Sequence, residues 1–207
     1  MKFHRLLILS VLMVLSVAQA QATAADPRDP PTIIRETTDE ILDLLEKQRA
    51  EFEAQPEKLR DVVRERLLPL MDLDYSARLI LGRAGRGLSE QQVDEFAETM
   101  CHVLINRYSD GLLEFRSDEQ IEVLPLRGDN NDRLTRVRTR IKLENGQFAP
   151  IDYAFRKTDE GWKTFDVTVE GVSYVLTFRN QIAPQVQSEG IEKVTADLRA
   201  GNIEIDD

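Results

Sequence analysis

The sequence predicts an α+β domain: an antiparallel meander of about four strands behind four helices. Three observations carry this. From residue 33 to about 108, apolar residues recur at spacings of three and four, the period of an amphipathic helix. From about 121 to 169 the period is two, as in strands with one buried face. After Gly171 the spacing returns to three and four. Strands gathered in one block, with helices on either side of them in sequence, separate into two layers.

The chain has 207 residues. Lys2, His4 and Arg5 give a positive start, and Leu6 to Val17 is an apolar run of signal-peptide length, too short to span a bilayer. Ala18-Gln19-Ala20 places small residues where a signal peptidase reads. Residues 1–20 are therefore expected to be a cleaved leader, with Ala22 and Ala24 as alternative ends. No Cys follows to take a lipid anchor. Residues 21–32, Pro-rich and charged, read as a disordered lead-in. The remainder is expected to form one domain over 33–200, with 201–207 as a tail.

The helices follow in order. Ile34, Ile41, Leu44, Leu45 and Phe52 mark a helix over 33–53, with Thr32 as its cap. Pro56 suits the first turn of a second, carrying Leu59, Val62, Val63 and Leu67. Pro69 ends or bends it. Asp72 or Asp74 caps a third, with Tyr75, Leu79 and Ile80 inward and Gly82 as its stop. Gly82 to Gly87 is a basic glycine loop. It lacks the Lys-Ser/Thr ending of a phosphate-binding P-loop and reads as an interhelix connection. Ser89 and Gln92 form a capping-box pair. Val93, Phe96, Met100, Leu104 and Tyr108 then line one face of a long fourth helix, with His102 off that stripe.

Ile121 and Val123 begin the strands, and Pro125 makes theirs short or an edge. Val137, Thr139, Ile141 and Leu143 alternate with Arg136, Arg138, Arg140 and Lys142. This is a half-buried strand with four cations opposite, either solvated or able to dock an acidic partner. Asn145-Gly146 marks a hairpin. Ile151, Tyr153 and Phe155 form the return strand. Phe165, Val167 and Val169 make one face of the next. Ser173 caps a helix on which Val175, Phe178, Ile182 and Val186 point inward. Gly190 breaks it, and 191–200 form a last helix with Ile191, Val194 and Leu198 inward.

Charge narrows the function. Removing Lys2 and Arg5 with the leader leaves 25 basic against 37 acidic residues, a net charge near −12. Such a chain repels nucleic-acid phosphates and does not adhere to anionic headgroups. Cys101 is the only cysteine, so an internal disulfide and a cysteine zinc site are excluded. It reads as a small buried hydrophobe. Asp166 is the one acid with a catalytic reading, and it lacks a motif partner such as a His or second carboxylate.

The segment Gly161-Trp162-Lys163-Thr164-Phe165-Asp166-Val167, then Glu170-Gly171-Val172-Ser173 and Arg179-Asn180-Gln181, resembles the closing motif of the MlaC (toluene-tolerance auxiliary) family. Pro69 to Gly82, Ser89-Glu90-Gln91, Phe96 and Tyr108 follow the same family in order and spacing. The loop Arg83-Ala84-Gly85-Arg86-Gly87 departs from it by lacking an aromatic. The resemblance implies a periplasmic phospholipid carrier in which a helical layer packs on a curved antiparallel sheet and the layers enclose a lipid cavity. It implies phospholipid as cargo, no other cofactor, and no catalysis. The implied partners are an inner-membrane MlaD-type ring of an ABC transporter and an outer-membrane MlaA–porin complex. A monomer is expected.

The expected lipid-contacting residues are Phe96, Met100, Leu104 and Tyr108 on the fourth helix, and Val137, Ile141, Tyr153, Phe155, Phe165, Val167 and Val169 on the sheet. Val175, Phe178 and Arg179 follow the turn at Gly171. Tyr108 and Tyr153, with apolar rings and polar tips, suit a cavity mouth. Arg179 either pairs with Asp166 or meets a headgroup phosphate. Each apolar residue also has a plain core reading. Two other functions compete: an isomerase-like enzyme of small hydrophobic substrates, using Asp166 or Tyr153 as acid or base, and an adaptor that binds only proteins.

Overall fold

A computed structural model describes residues 25–114, 121–128, 130–142, 146–203 and 205. The expected leader, Leu143 and Asn145 lie outside them. The described helices are α1 (Pro30–Ala54), α2 (Pro56–Leu67), α3 (Leu73–Leu81), α4 (Glu90–Tyr108), α5 (Tyr174–Glu189) and α6 (Ile191–Ala200). The strands are β1 (Ile121–Val123), β2 (Leu134–Lys142), β3 (Phe148–Thr158), β4 (Gly161–Val169) and the two-residue β5 (Val172–Ser173). They form one antiparallel meander in the order β1-β2-β3-β4-β5.

Local chemistry sets most helix ends. Asp72 caps α3 by accepting from Tyr75 N–H. Ser89 and Gln92 close a capping box on α4, satisfying donors that a helix start leaves unpaired. Ser173 caps α5, and all four of Val175, Phe178, Ile182 and Val186 are buried.

The start of α1 differs from expectation. Pro30 and Pro31 occupy its first turn, where a missing N–H costs nothing. Asp29 is the cap and Thr32 is its donor, at 2.8 Å. The chain before it is also tied down. Asp26 N–H donates to Glu160 O at 2.8 Å, and Arg28 pairs with Asp26 at 2.6 Å. From residue 26 the chain packs on the β3–β4 turn.

The helices divide into two groups. α3, α4, α5 and α6 share a solid core around Leu81, Phe96 and Ile182, to which Ile205 of the expected tail also belongs, 2% exposed. α1 lies against the sheet, with Ile33 and Ile34 packed on Val137 and Phe155. Farther along, α1 pairs with α2 through Leu45, Phe52, Leu59 and Val63. Each fully buried large side chain contributes roughly 1.5–3 kcal/mol.

One irregularity reorients β4. Ala154 opposes Asp166, but Phe155 opposes Thr164, so Phe165 has no partner across the ladder. An extra residue bends a strand and breaks its alternation. Val167 and Thr164, opposite Tyr153 and Phe155, therefore share a face that Phe165 leaves. Phe165 instead meets the Tyr75 ring at 5.1 Å. The expected Phe165–Val167–Val169 face is corrected accordingly.

Candidate functional site

Two apolar cavities lie between these elements. The first, about 260 Å³, is enclosed by α2, α3, α4 and the turn that follows α4. The second, about 310 Å³, lies between α1 and the inner face of the sheet. Each exceeds the roughly 150 Å³ that accepts a benzene molecule in an engineered core. Leu67, Met71 and Leu112 line both cavities, so the two are neighbours divided by three flexible apolar side chains.

The partition is held by backbone. The 3-10 turn Leu68–Leu70 brings Met71 alongside Thr164, and Asp72 N–H donates to Thr164 O at 2.8 Å. Met71 is thereby fixed at the edge of β4 while its side chain borders both hollows. Sequence reasoning treated this segment as a break between helices. Its signal was available in Leu67, Leu68, Leu70 and Met71, more apolar residues than a solvated linker needs.

The expected site residues separate into three sets. Met100, Leu104 and Tyr108 line the first cavity. Ile141, Tyr153, Phe155 and Val167 line the second. The remaining seven line neither. Phe96, Val175 and Phe178 belong to the solid helical core. Val137 is fully buried beneath α1. Phe165 lies against Tyr75. Val169 sits opposite Ile151 at the far end of β4. Arg179 is exposed, and its guanidinium lies so close to Gly82 that a Cβ there would meet it at 2.9 Å.

Asp166 does not pair with Arg179. Its carboxylate accepts from Ser173 Oγ at 2.6 Å and from Val175 N–H at 3.0 Å. It thus reinforces the N-terminus of α5, where negative charge is favoured, and locks the Glu170–Gly171 turn. That turn has φ of 50° at Glu170 and 88° at Gly171, and glycine takes such values without strain.

The walls are nearly free of competing chemistry. Among the described residues no charged one lines either cavity. Among the described residues no group of His, Cys, Asp and Glu is arranged to hold a metal. Cys101 borders the first cavity, and burial pushes its thiol up. Ser76 Oγ donates to Asp72 O and Phe165 O, both at 2.8 Å. Burial pushes the Tyr153 phenol up to about 12, and the residue is half-buried. The cationic stripe of β2 is partly matched on the sheet itself: Arg140 pairs with Glu122 and stacks on Phe148 at 4.3 Å, and Arg136 lies 3.8 Å from Asp152.

Fold and site together define a class: an α+β domain that keeps an apolar hollow between its helical layer and its sheet. Residues 35–200 match the MlaC protein family, and the chain belongs to that family. Toluene tolerance protein ttg2D of Pseudomonas putida is 27% identical over 180 residues, covering 86% of this chain and 82% of that protein. The intermembrane phospholipid transport system binding protein MlaC of Haemophilus influenzae is 28% identical over 165 residues, 77% of this chain and 76% of that one. The fold is also similar to the solved structure of a phospholipid-binding protein from Ralstonia solanacearum in complex with a phospholipid. There the TM-score is 0.72 at 21% identity, covering 83% of this chain and 99% of the other.

Proposed function

We propose that the chain is a periplasmic phospholipid carrier. It shuttles lipid between an outer-membrane MlaA–porin complex and the MlaD-type ring of an inner-membrane ABC transporter, and so maintains outer-membrane lipid asymmetry. The observation that carries this reading is the pair of adjoining hollows, about 260 and 310 Å³, whose described lining residues carry no charge. The relatives named for phospholipid transport and toluene tolerance, and the similar fold holding a phospholipid, support it.

The physical task fits such walls. Each methylene costs roughly 0.8 kcal/mol in water, so a sixteen-carbon chain costs on the order of 12 kcal/mol. Walls made of Ile, Leu, Val and Met remove most of that penalty, because they resemble the bilayer interior. Handover is then near neutral, and direction comes from the complexes at either end. The leader at residues 1–20 delivers the chain to the periplasm. Its net charge near −12 keeps it from lingering on anionic bilayer surfaces. The chain acts by binding rather than turnover: Asp166 is engaged as a cap.

A vesicle assay tests the proposal. Trace amounts of the mature protein should move labelled phospholipid from donor to acceptor vesicles many times faster than spontaneous exchange. Vesicles bearing the MlaD-type ring should gain lipid faster than bare ones. Transfer no faster than the blank would overturn the reading.

A further inference from the structure

The second cavity holds hydroxyls that no described residue engages. Tyr153 on β3 and Thr37 and Thr38 on α1 all line it. Among the described residues, none of these three side chains has a hydrogen-bond partner. Other hydroxyls bordering the hollows are engaged: Thr164 Oγ1 donates to Ala154 O at 3.1 Å, Ser76 Oγ to Asp72 O, and Ser109 Oγ to Ile105 O. The Tyr153 oxygen is not fully buried, so it is open to a partner that enters the hollow.

By surface Tyr153 is half-buried, yet burial raises its phenol to about 12. Both hold if the surface it retains faces the hollow rather than bulk water. The phenol is then protonated at every physiological pH and is an obligate O–H donor in search of an acceptor. The surrounding walls restrict that acceptor. Ile33, Ile34, Ile141, Ile151 and Val167 are apolar and no cation lines the cavity among the described residues, so a phosphate or carboxylate would find no counter-charge in these walls. A neutral carbonyl attached to hydrocarbon is accommodated.

We propose that Tyr153, with Thr37 and Thr38, forms a hydrogen-bonding subsite for the ester carbonyls of a diacyl glycerolipid. This rests on the carrier reading and adds to it. The subsite sets the depth at which the glycerol backbone stops, leaving the charged headgroup outside these walls. It also makes the carrier selective for ester-linked lipids over ether-linked ones of the same shape.

The test uses the mature full chain and vesicles containing equal amounts of a diester phosphatidylglycerol and its diether analogue of matched chain length. After incubation the protein is recovered and its bound lipids are quantified by mass spectrometry. The wild type should take the diester in preference by about three- to tenfold, the range of one net hydrogen bond. Tyr153→Phe keeps the ring and should bring the ratio close to one, with diether uptake unchanged. Equal uptake of the two lipids by the wild type would overturn the subsite, and so would a preference that survives Tyr153→Phe. If the wild type takes up neither lipid, the carrier reading itself fails and the subsite with it.

Discussion

Val167→Asp separates a lipid wall from an ordinary core. Val167 is half-buried, lies opposite Tyr153 across the β3–β4 ladder and borders the 310 Å³ cavity. Water claims about 30 Å³ per molecule in the liquid, so an empty cavity of that size has room to hydrate the introduced carboxylate. The folding cost is then mainly the lost apolar burial, on the order of 1–2 kcal/mol. Cargo changes the balance. Acyl tails must displace that water, and stripping an ion costs several kcal/mol even after relaxation. Each 1.4 kcal/mol is tenfold in affinity, so lipid binding should fall about a thousandfold. Urea unfolding measured beside lipid content after vesicle incubation checks this. Unchanged lipid content, or a stability loss as large as the binding loss, would return Val167 to plain packing and refute the reasoning.

Three further outcomes follow from the fold. Asp166→Ala removes the acceptor for Ser173 Oγ and Val175 N–H and should cost about 1–3 kcal/mol in urea unfolding, with Asp166→Asn recovering part of it. Gly161 has φ of 115°, and a Cβ there would lie 2.7 Å from Asp26 O. Gly161→Ala should therefore lower stability by more than about 1 kcal/mol, whereas Gly111→Ala, with open space around it, should cost far less. The Arg28 hydrogen bond holds the Asp26 carboxyl below its ordinary value. A depressed carboxyl stabilises the fold above its unfolded value and loses that contribution as pH falls through the folded one. The stability gap between wild type and Asp26→Asn should thus be constant near neutrality and close on acidification. A gap that widens in acid would contradict the assignment.

The helices were legible because their signals are local. Pro56, Asp72, Ser89 with Gln92, Ser173 and Gly190 each fix an end through the nearest few residues, and the starts of α2 to α6 and the end of α5 fall where those residues place them. Features that depend on distant partners were not. The slip at Phe165 is set by how β3 and α3 meet β4, and period-two reading has no term for it. The apolar stripe of α4 looks uniform, yet Phe96 belongs to the core shared with α3, α5 and α6 while Met100 and Leu104 border a hollow. Where packing stops and space begins is decided by the neighbours, not the stripe. Met71 and Leu112 escaped notice for the same reason. Arg179 offered two partners on paper, and Asp166 had already been claimed by the turn beside it.

The proposed function requires the hollows to hold a lipid in the protein as purified. Native mass spectrometry of protein purified gently from periplasm tests it most directly. The account predicts a bound mass equal to a diacyl phospholipid, released on solvent extraction and identified by its fragments. A population at the bare polypeptide mass that also acquires nothing from phospholipid vesicles would contradict it.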